Sequence, residues 1–258
     1  MSGAARTVWV TGAASGMGAA HARRFAELGD RVGCWDLQAD ALQAVVEEIR
    51  AGGGEAEAVV ADITDADAVD AGAARLREAF GPAAVVVANA GIILTGDYIE
   101  ELELDSWRRV IDVNLTGAFL TCKAAIPQLR EAGDGALILI SSVCGLTASA
   151  GFGAYNASKH GVIGLMRTLA NELGSDDVTV NAVCPGWVRT PMLGASIDHA
   201  NANPEELSEF TDMTLIGRVT EPEEVTAAII FLASPGARSI TGTALPIEGG
   251  LMERRAWP

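Results

Sequence analysis

The 258 residues are about half apolar but only 5% aromatic, enough for one α/β unit, residues 1–258, with a core mainly of Ala, Val, Leu and Ile. A formal charge of −16 disfavours nucleic acid and anionic lipid, which attract clustered Lys and Arg. No apolar run reaches the ~18 residues of a membrane span, and four scattered cysteines and three histidines show neither C-x-x-C nor ligand spacing, so membrane, disulfide and metal roles are not expected.

The N-terminus enters the first strand by Val8 with no secretory pattern before it, which makes the cytoplasm the expected compartment. From there short apolar runs alternate with helix-period segments, the pattern of βαβ units around a parallel sheet covered on both faces. Strands are expected at residues 7–10, 31–36, 56–61, 84–88, 136–140, 178–183 and 243–247. Helices are expected at 16–28, 39–51, 66–80, 105–130, 153–173 and 222–233. Residues 115–126 are apolar around most of the helix, which calls for burial on several sides or for a subunit interface. The alternation lapses over residues 189–218, read as a partly helical substrate lid; the alternative is an ordinary long surface connection.

The first strand runs into Thr11-Gly12-Ala13-Ala14-Ser15-Gly16-Met17-Gly18 and a helix follows at once. Glycines there let the backbone approach a pyrophosphate while N–H groups at the helix start supply donors. The spacing Gly12, Gly16, Gly18 is not the commoner G-x-G-x-x-G fingerprint. The second strand ends at Asp36, followed by Leu37. A carboxylate at that place accepts from ribose hydroxyls and repels a 2′-phosphate, so NAD is expected over NADP; the plainer reading is a turn cap. Further strand ends carry Asp62-Ile63, Asn89-Ala90-Gly91, Ser141-Ser142 and Pro185-Gly186. In an open α/β sheet all of them fall on the carboxyl edge, where ligands bind.

Tyr155 and Lys159 stand four residues apart on one helix, which puts phenol and ammonium on one face. A free tyrosine ionises near ~10, and a neighbouring ammonium together with a positive nicotinamide ring would lower that value toward acid–base work near neutrality. Lys159 is one of only two lysines in the chain. Ser142 ends a strand thirteen residues before Tyr155, placed to polarise the same substrate oxygen. Asn114, a poor helix former inside a helical pattern, could hold a water that relays protons to Lys159, or could bond backbone for local reasons.

In these motifs, in order and spacing, nearly the whole chain resembles the short-chain dehydrogenase/reductase family, in its branch of about 250 residues. The resemblance implies a Rossmann-type, doubly wound, seven-stranded parallel sheet. It also implies the tetrad Asn114, Ser142, Tyr155 and Lys159, nicotinamide contacts from Val188 and Thr190, and a homotetramer built on the helices at 105–130 and 153–173. Cys144, Phe152, Trp187 and Met192 become candidate walls for an apolar secondary alcohol or its ketone, though each could equally be core packing. Two rivals stand beside an NAD-dependent alcohol dehydrogenase. One is an NADPH-dependent ketoacyl carrier-protein reductase, opposed by Asp36 and by acidic loops at Asp134 and Asp176-Asp177. The other is a non-catalytic NAD-binding regulator. The tail, residues 251–258, either reaches a neighbouring subunit through Trp257 or frays.

Overall fold

A computed structural model describes residues 5–193, 208 and 210–253. Seven strands, β1 (Thr7–Thr11), β2 (Arg31–Asp36), β3 (Glu55–Val60), β4 (Ala83–Ala88), β5 (Ala136–Ile140), β6 (Thr179–Pro185) and β7 (Ala244–Ile247), form one parallel sheet in the order β3-β2-β1-β4-β5-β6-β7. Between them lie α1 (Gly16–Glu27), α2 (Ala39–Ala51), α3 (Ala66–Phe80), α4 (Leu104–Ile111), α5 (Gly117–Ala132), α6 (Gly153–Leu173) and α7 (Pro222–Leu232). No helix among the described residues is long and apolar enough to cross a membrane.

The central strands are apolar on both faces because both faces are covered. Along β1, Val8 and Val10 pack under Phe25 of α1 and Ile229 of α7, while Trp9 between them turns to the opposite layer with Leu129 of α5 and Met166 of α6. A truncation such as Leu137→Ala in that second layer would cost about 2–5 kcal/mol. Local signals agree with the packing. Asp65 caps α3 by accepting from Asp67 N at 3.0 Å and Ala68 N at 3.2 Å, and Gly133 ends α5 in the left-handed conformation at φ 83°.

The single helix expected at 105–130 is a continuous rod with a widened π turn at Asp112–Thr116 between α4 and α5. Hydrophobic periodicity does not register one extra residue in a turn, so the sequence showed only an Asn out of place. β1 has β2 on one side and β4 on the other. The chain therefore reverses direction across the sheet after β3, and the loops leaving β1 and β4 diverge to open a crevice at their carboxyl ends.

Candidate active site

A cleft of about 730 Å³ runs along that edge. It is lined by Gly12, Ser15, Gly16, Met17 and Gly18 from the first turn, by Asp36 and Leu37 after β2, by Asp62 and Ile63 after β3, and by Asn89, Ala90 and Gly91 after β4. Gly12 sits at φ +70°, and a Cβ on Gly18 would overlap the carbonyl oxygen of Gly12. Backbone thus occupies the place of side chains. Ser15 spends no side-chain bond on the start of α1, which leaves first-turn N–H groups for an anion. Thr11 Oγ1 accepts from Asn89 N and Ala90 N, each at 3.0 Å, and Asn89 Nδ2 donates to Thr11 O at 2.8 Å. Asn89 Oδ1 is buried and makes no hydrogen bond. Gly-rich backbone, spare helix-start donors and a fixed carboxylate make a cradle that fits a nicotinamide dinucleotide.

Asp36 caps its turn and also lines the cleft. Its Oδ1 accepts from Gln38 N and its Oδ2 from Ala14 N, each at 3.0 Å. The turn is capped, and the same bonds hold the carboxylate at the cleft wall. Asp62 likewise closes its own turn by accepting from Thr64 N at 2.9 Å. Sequence reasoning missed two cations: Arg108 and Arg109 of α4 line the far side of the cleft. They lie more than seventy residues from Asp36 in the chain, and only the packing of α4 brings them near.

Tyr155 and Lys159 lie on the buried face of α6, with the ammonium 5.6 Å from the phenol ring centroid. Lys159 Nζ donates to Ile140 O at 2.9 Å. Ser142 lies two residues past β5 and caps a short turn at Val143–Gly145, accepting from Cys144 N at 3.1 Å. Its hydroxyl also meets the phenol of Tyr155. Asn114 stands in the π turn and is 1% exposed. Its Nδ2 donates to Ile92 O at 2.9 Å and to Ser158 Oγ at 3.0 Å, and its Oδ1 accepts from Ile92 N at 2.8 Å. A Cβ at Gly91 would stand 3.2 Å from Asn114 Oδ1 and 3.4 Å from Lys159 Nζ, so the four groups share one small volume.

The side chain of Asn114 bonds Ile92 and Ser158, the local bonding that one of its two readings expects. Tyr155 in the protein alone shifts upward. Burial pushes its phenol above the ordinary tyrosine value, and the Ser142 hydroxyl offsets only part of this. Burial also lowers Lys159 to about 8, with Cys184 and Cys144 acting the other way. The sequence argument weighed the charge and left out the desolvation that comes with placing it there.

A second cavity, about 420 Å³, opens beside the phenol and is lined by Ser142, Cys144, Phe152, Tyr155, Trp187 and Met192, the six residues expected there. Pro185, Gly186 and Val188 also line it, whereas Met17, Thr190 and Met192 line both hollows and join them. Val188 pairs with Thr220 through its neighbours: Thr220 N donates to Trp187 O and Arg189 N to Thr220 O, each at 2.9 Å. Neither bond uses the N–H of Val188. Among the described residues no Asp, Glu, Lys, Arg or His lines this cavity. Met213, Leu251 and Met252 complete the wall; no motif marks them, and only their apolar character beyond regular elements hinted at the role. Residues 194–207 and 209 of the expected lid, and 254–258 of the tail with Trp257, lie outside the described residues.

A family model described as Enoyl-(Acyl carrier protein) reductase matches residues 12–252. A 2,5-dichloro-2,5-cyclohexadiene-1,4-diol dehydrogenase of Sphingobium indicum is 39% identical over 247 residues, covering 96% of both chains. A 3-oxoacyl-[acyl-carrier-protein] reductase of Synechocystis sp. is 41% identical over 251 residues, covering 96% of this chain and 97% of its own. Among solved structures, an actinorhodin polyketide ketoreductase with NADPH superposes with a TM-score of 0.91 at 35% identity, over 97% of this chain and 98% of that one.

Proposed function

The chain belongs to the short-chain dehydrogenase/reductase family of oxidoreductases, and from that premise we propose that it interconverts a small, uncharged secondary alcohol and its ketone, with NAD(H) as partner. One observation carries the reading. Tyr155 and Ser142 line an apolar cavity without charged walls, the Lys159 ammonium stands 5.6 Å from the phenol ring, and the cavity joins the cleft proposed as the dinucleotide cradle through Thr190, Met17 and Met192. An apolar ring fits such walls, and the ring diol named for the Sphingobium relative is of this class. A substrate carboxylate would find no counter-charge among the described lining residues.

The bound nicotinamide supplies the hydride acceptor. The protein's own groups do the rest. In oxidation the substrate hydroxyl lies between the phenol of Tyr155 and the hydroxyl of Ser142. Tyr155 Oη takes its proton as the carbinol hydride departs, and Ser142 Oγ donates to the oxygen as it becomes a carbonyl. Lys159 spends one of its three donors on Ile140 O. The other two serve ribose hydroxyls, and its charge steadies the phenolate. Asn114 fixes the loop after β4 against α6, and Asp36 holds the adenosine ribose. Val188 and Thr190 take the nicotinamide amide. Tyr155→Phe should lower kcat at least a hundredfold with dinucleotide affinity kept; retention of a tenth of the activity would refute the assignment.

A second reading is favoured by the 41% identical 3-oxoacyl reductase, by the NADPH-bearing neighbour and by Arg108 and Arg109 on the cleft wall. Comparing kcat/KM for NADH and NADPH separates the two. On the first reading NADH is preferred at least tenfold, because a 2′-phosphate beside Asp36 meets like charge.

A further inference from the structure

Met213, Leu251 and Met252 reach the wall of the alcohol cavity from two turns far apart in the chain, 211–218 and 248–253. None of the three carries a side-chain hydrogen-bond donor, and apolar contact has no direction, so the position of this wall is set elsewhere. The backbone sets it. Gly249 O accepts from Leu215 N at 2.8 Å and from Ile216 N at 3.1 Å, which clips one turn to the other. Each turn is also closed on itself: Glu248 Oε2 accepts from Met252 N, and Thr214 Oγ1 donates to Arg218 O, each at 3.0 Å. Both turns are then tied to the stretch after β6. Gly186 N donates to Ile247 O at 3.1 Å, and Phe210 packs edge-on against Trp187 at 4.8 Å.

The clip leaves no room for a side chain. Gly249 stands at φ +65° and Gly250 at φ +81°, the left-handed region that disfavours other residues. A Cβ on Gly249 would lie 2.9 Å from Cγ1 and Cδ1 of Ile216, and one on Gly250 would lie 2.6 Å from Cγ of Leu215. Neither glycine lines the cleft or the cavity. What they provide is the close approach of two backbones.

We propose that Gly249 is a positioning residue for the alcohol: its clip makes Met213, Leu251 and Met252 one wall, and that wall governs how tightly the ring is held. Tyr155 stands on α6 and Ser142 just past β5, elements that the clip does not join. Loss of the clip therefore weakens alcohol binding and spares both dinucleotide binding and the hydride step. The proposal rests on the alcohol–ketone reading above and adds to it the residue that holds the pocket's wall.

Gly249→Ala introduces the clash with Ile216. With cyclohexanol as probe, KM should rise about tenfold, the worth of one or two hydrogen bonds, while kcat and the Kd of NADH stay within about twofold. Ile216→Ala alone should leave KM unchanged, because that side chain is half exposed and lines neither hollow. Added to Gly249→Ala, it removes the atoms that the new Cβ meets and should recover most of the lost KM. A Gly249→Ala protein with wild-type KM overturns the proposal, as does a fall in kcat as large as the rise in KM, or a double variant no better than the single one. Hydrogen exchange read by mass spectrometry needs no turnover. In cofactor-free Gly249→Ala, residues 211–218 and 248–253 should lose protection together and regain it in the double variant, with α6 unchanged; loss in one stretch alone overturns the proposal. Should Gly249→Ala fail to fold, the wild-type protein decides: both stretches should gain protection together when cyclohexanol is added to the NADH complex, and any other pattern overturns it. Should no secondary alcohol be oxidised, the alcohol–ketone reading fails, and exchange in the cofactor-free variants still decides whether Gly249 holds the wall.

Discussion

Replacing Lys159 by Met should make the cofactor-free protein more stable while removing its activity. The ammonium is buried, and its folded value near 8 against 10.5 for an ordinary lysine corresponds to about 3 kcal/mol of cost to the folded state, at ~1.4 kcal/mol per unit. Its bond to Ile140 O at 2.9 Å returns about 1–2 kcal/mol. Met matches the stem and needs neither solvation nor a partner. The net gain is about 1–2 kcal/mol, or about 3–6 °C in Tm for a chain of this size. The sign with pH follows from the lowered value. Below pH 8 lysine is protonated in both states and the full cost is present. Between pH 8 and 10.5 the folded form sheds its proton first, so wild-type stability rises by about 3 kcal/mol relative to the variant, and the gap closes at pH ~9 and reverses above it. Urea unfolding of both proteins without cofactor, at pH 7, 9 and 10.5, measures this. A variant that is less stable at pH 7, with a gap that does not change with pH, would refute the reasoning.

Three other outcomes follow from the site. Gly18→Ala should abolish NADH binding by fluorescence titration while far-UV circular dichroism stays native, because the added Cβ meets the Gly12 carbonyl within the cradle; undiminished affinity would show that the cradle is not where the dinucleotide binds. Asp36→Asn should reduce kcat/KM for NADH about tenfold and raise that for NADPH, since it removes a charged acceptor from ribose and a like charge from a 2′-phosphate; an unchanged ratio would leave Asp36 a turn cap alone. Light scattering should find a homotetramer, and a monomer would remove the role expected for the faces of α4, α5 and α6.

The strand and helix series was legible because a doubly covered parallel sheet writes itself as short Val, Ile and Ala runs between amphipathic segments, and boundaries moved by only a residue or two. The glycine cradle was legible because Gly12 and Gly18 occupy positions where a side chain cannot fit. What escaped the sequence was set by tertiary packing. The π turn at Asp112–Thr116 adds one residue to a helical turn without changing which faces are apolar. Arg108 and Arg109 reach the cleft only through the placement of α4, and Met213, Leu251 and Met252 close the cavity from segments without periodicity. The burial of the phenol escaped for a related reason. Chain spacing reports which charges are neighbours, while burial depends on everything packed around them.

That burial bears on how the site works. In the free protein Tyr155 is held in its neutral form by burial, and Lys159 carries an ammonium at a cost with one partner for three donors. On the proposed reading a bound dinucleotide would answer both, with ribose hydroxyls for Lys159 and positive charge beside the phenol. The phenol is therefore not a primed base in the empty protein, and its readiness is conditional on the partner that will receive the hydride. An alcohol arriving first would meet a protonated tyrosine with only the Lys159 ammonium to favour loss of its proton. On the proposed reading the arrangement would protect against idle proton exchange by making the acid–base group and the redox partner depend on the same binding event.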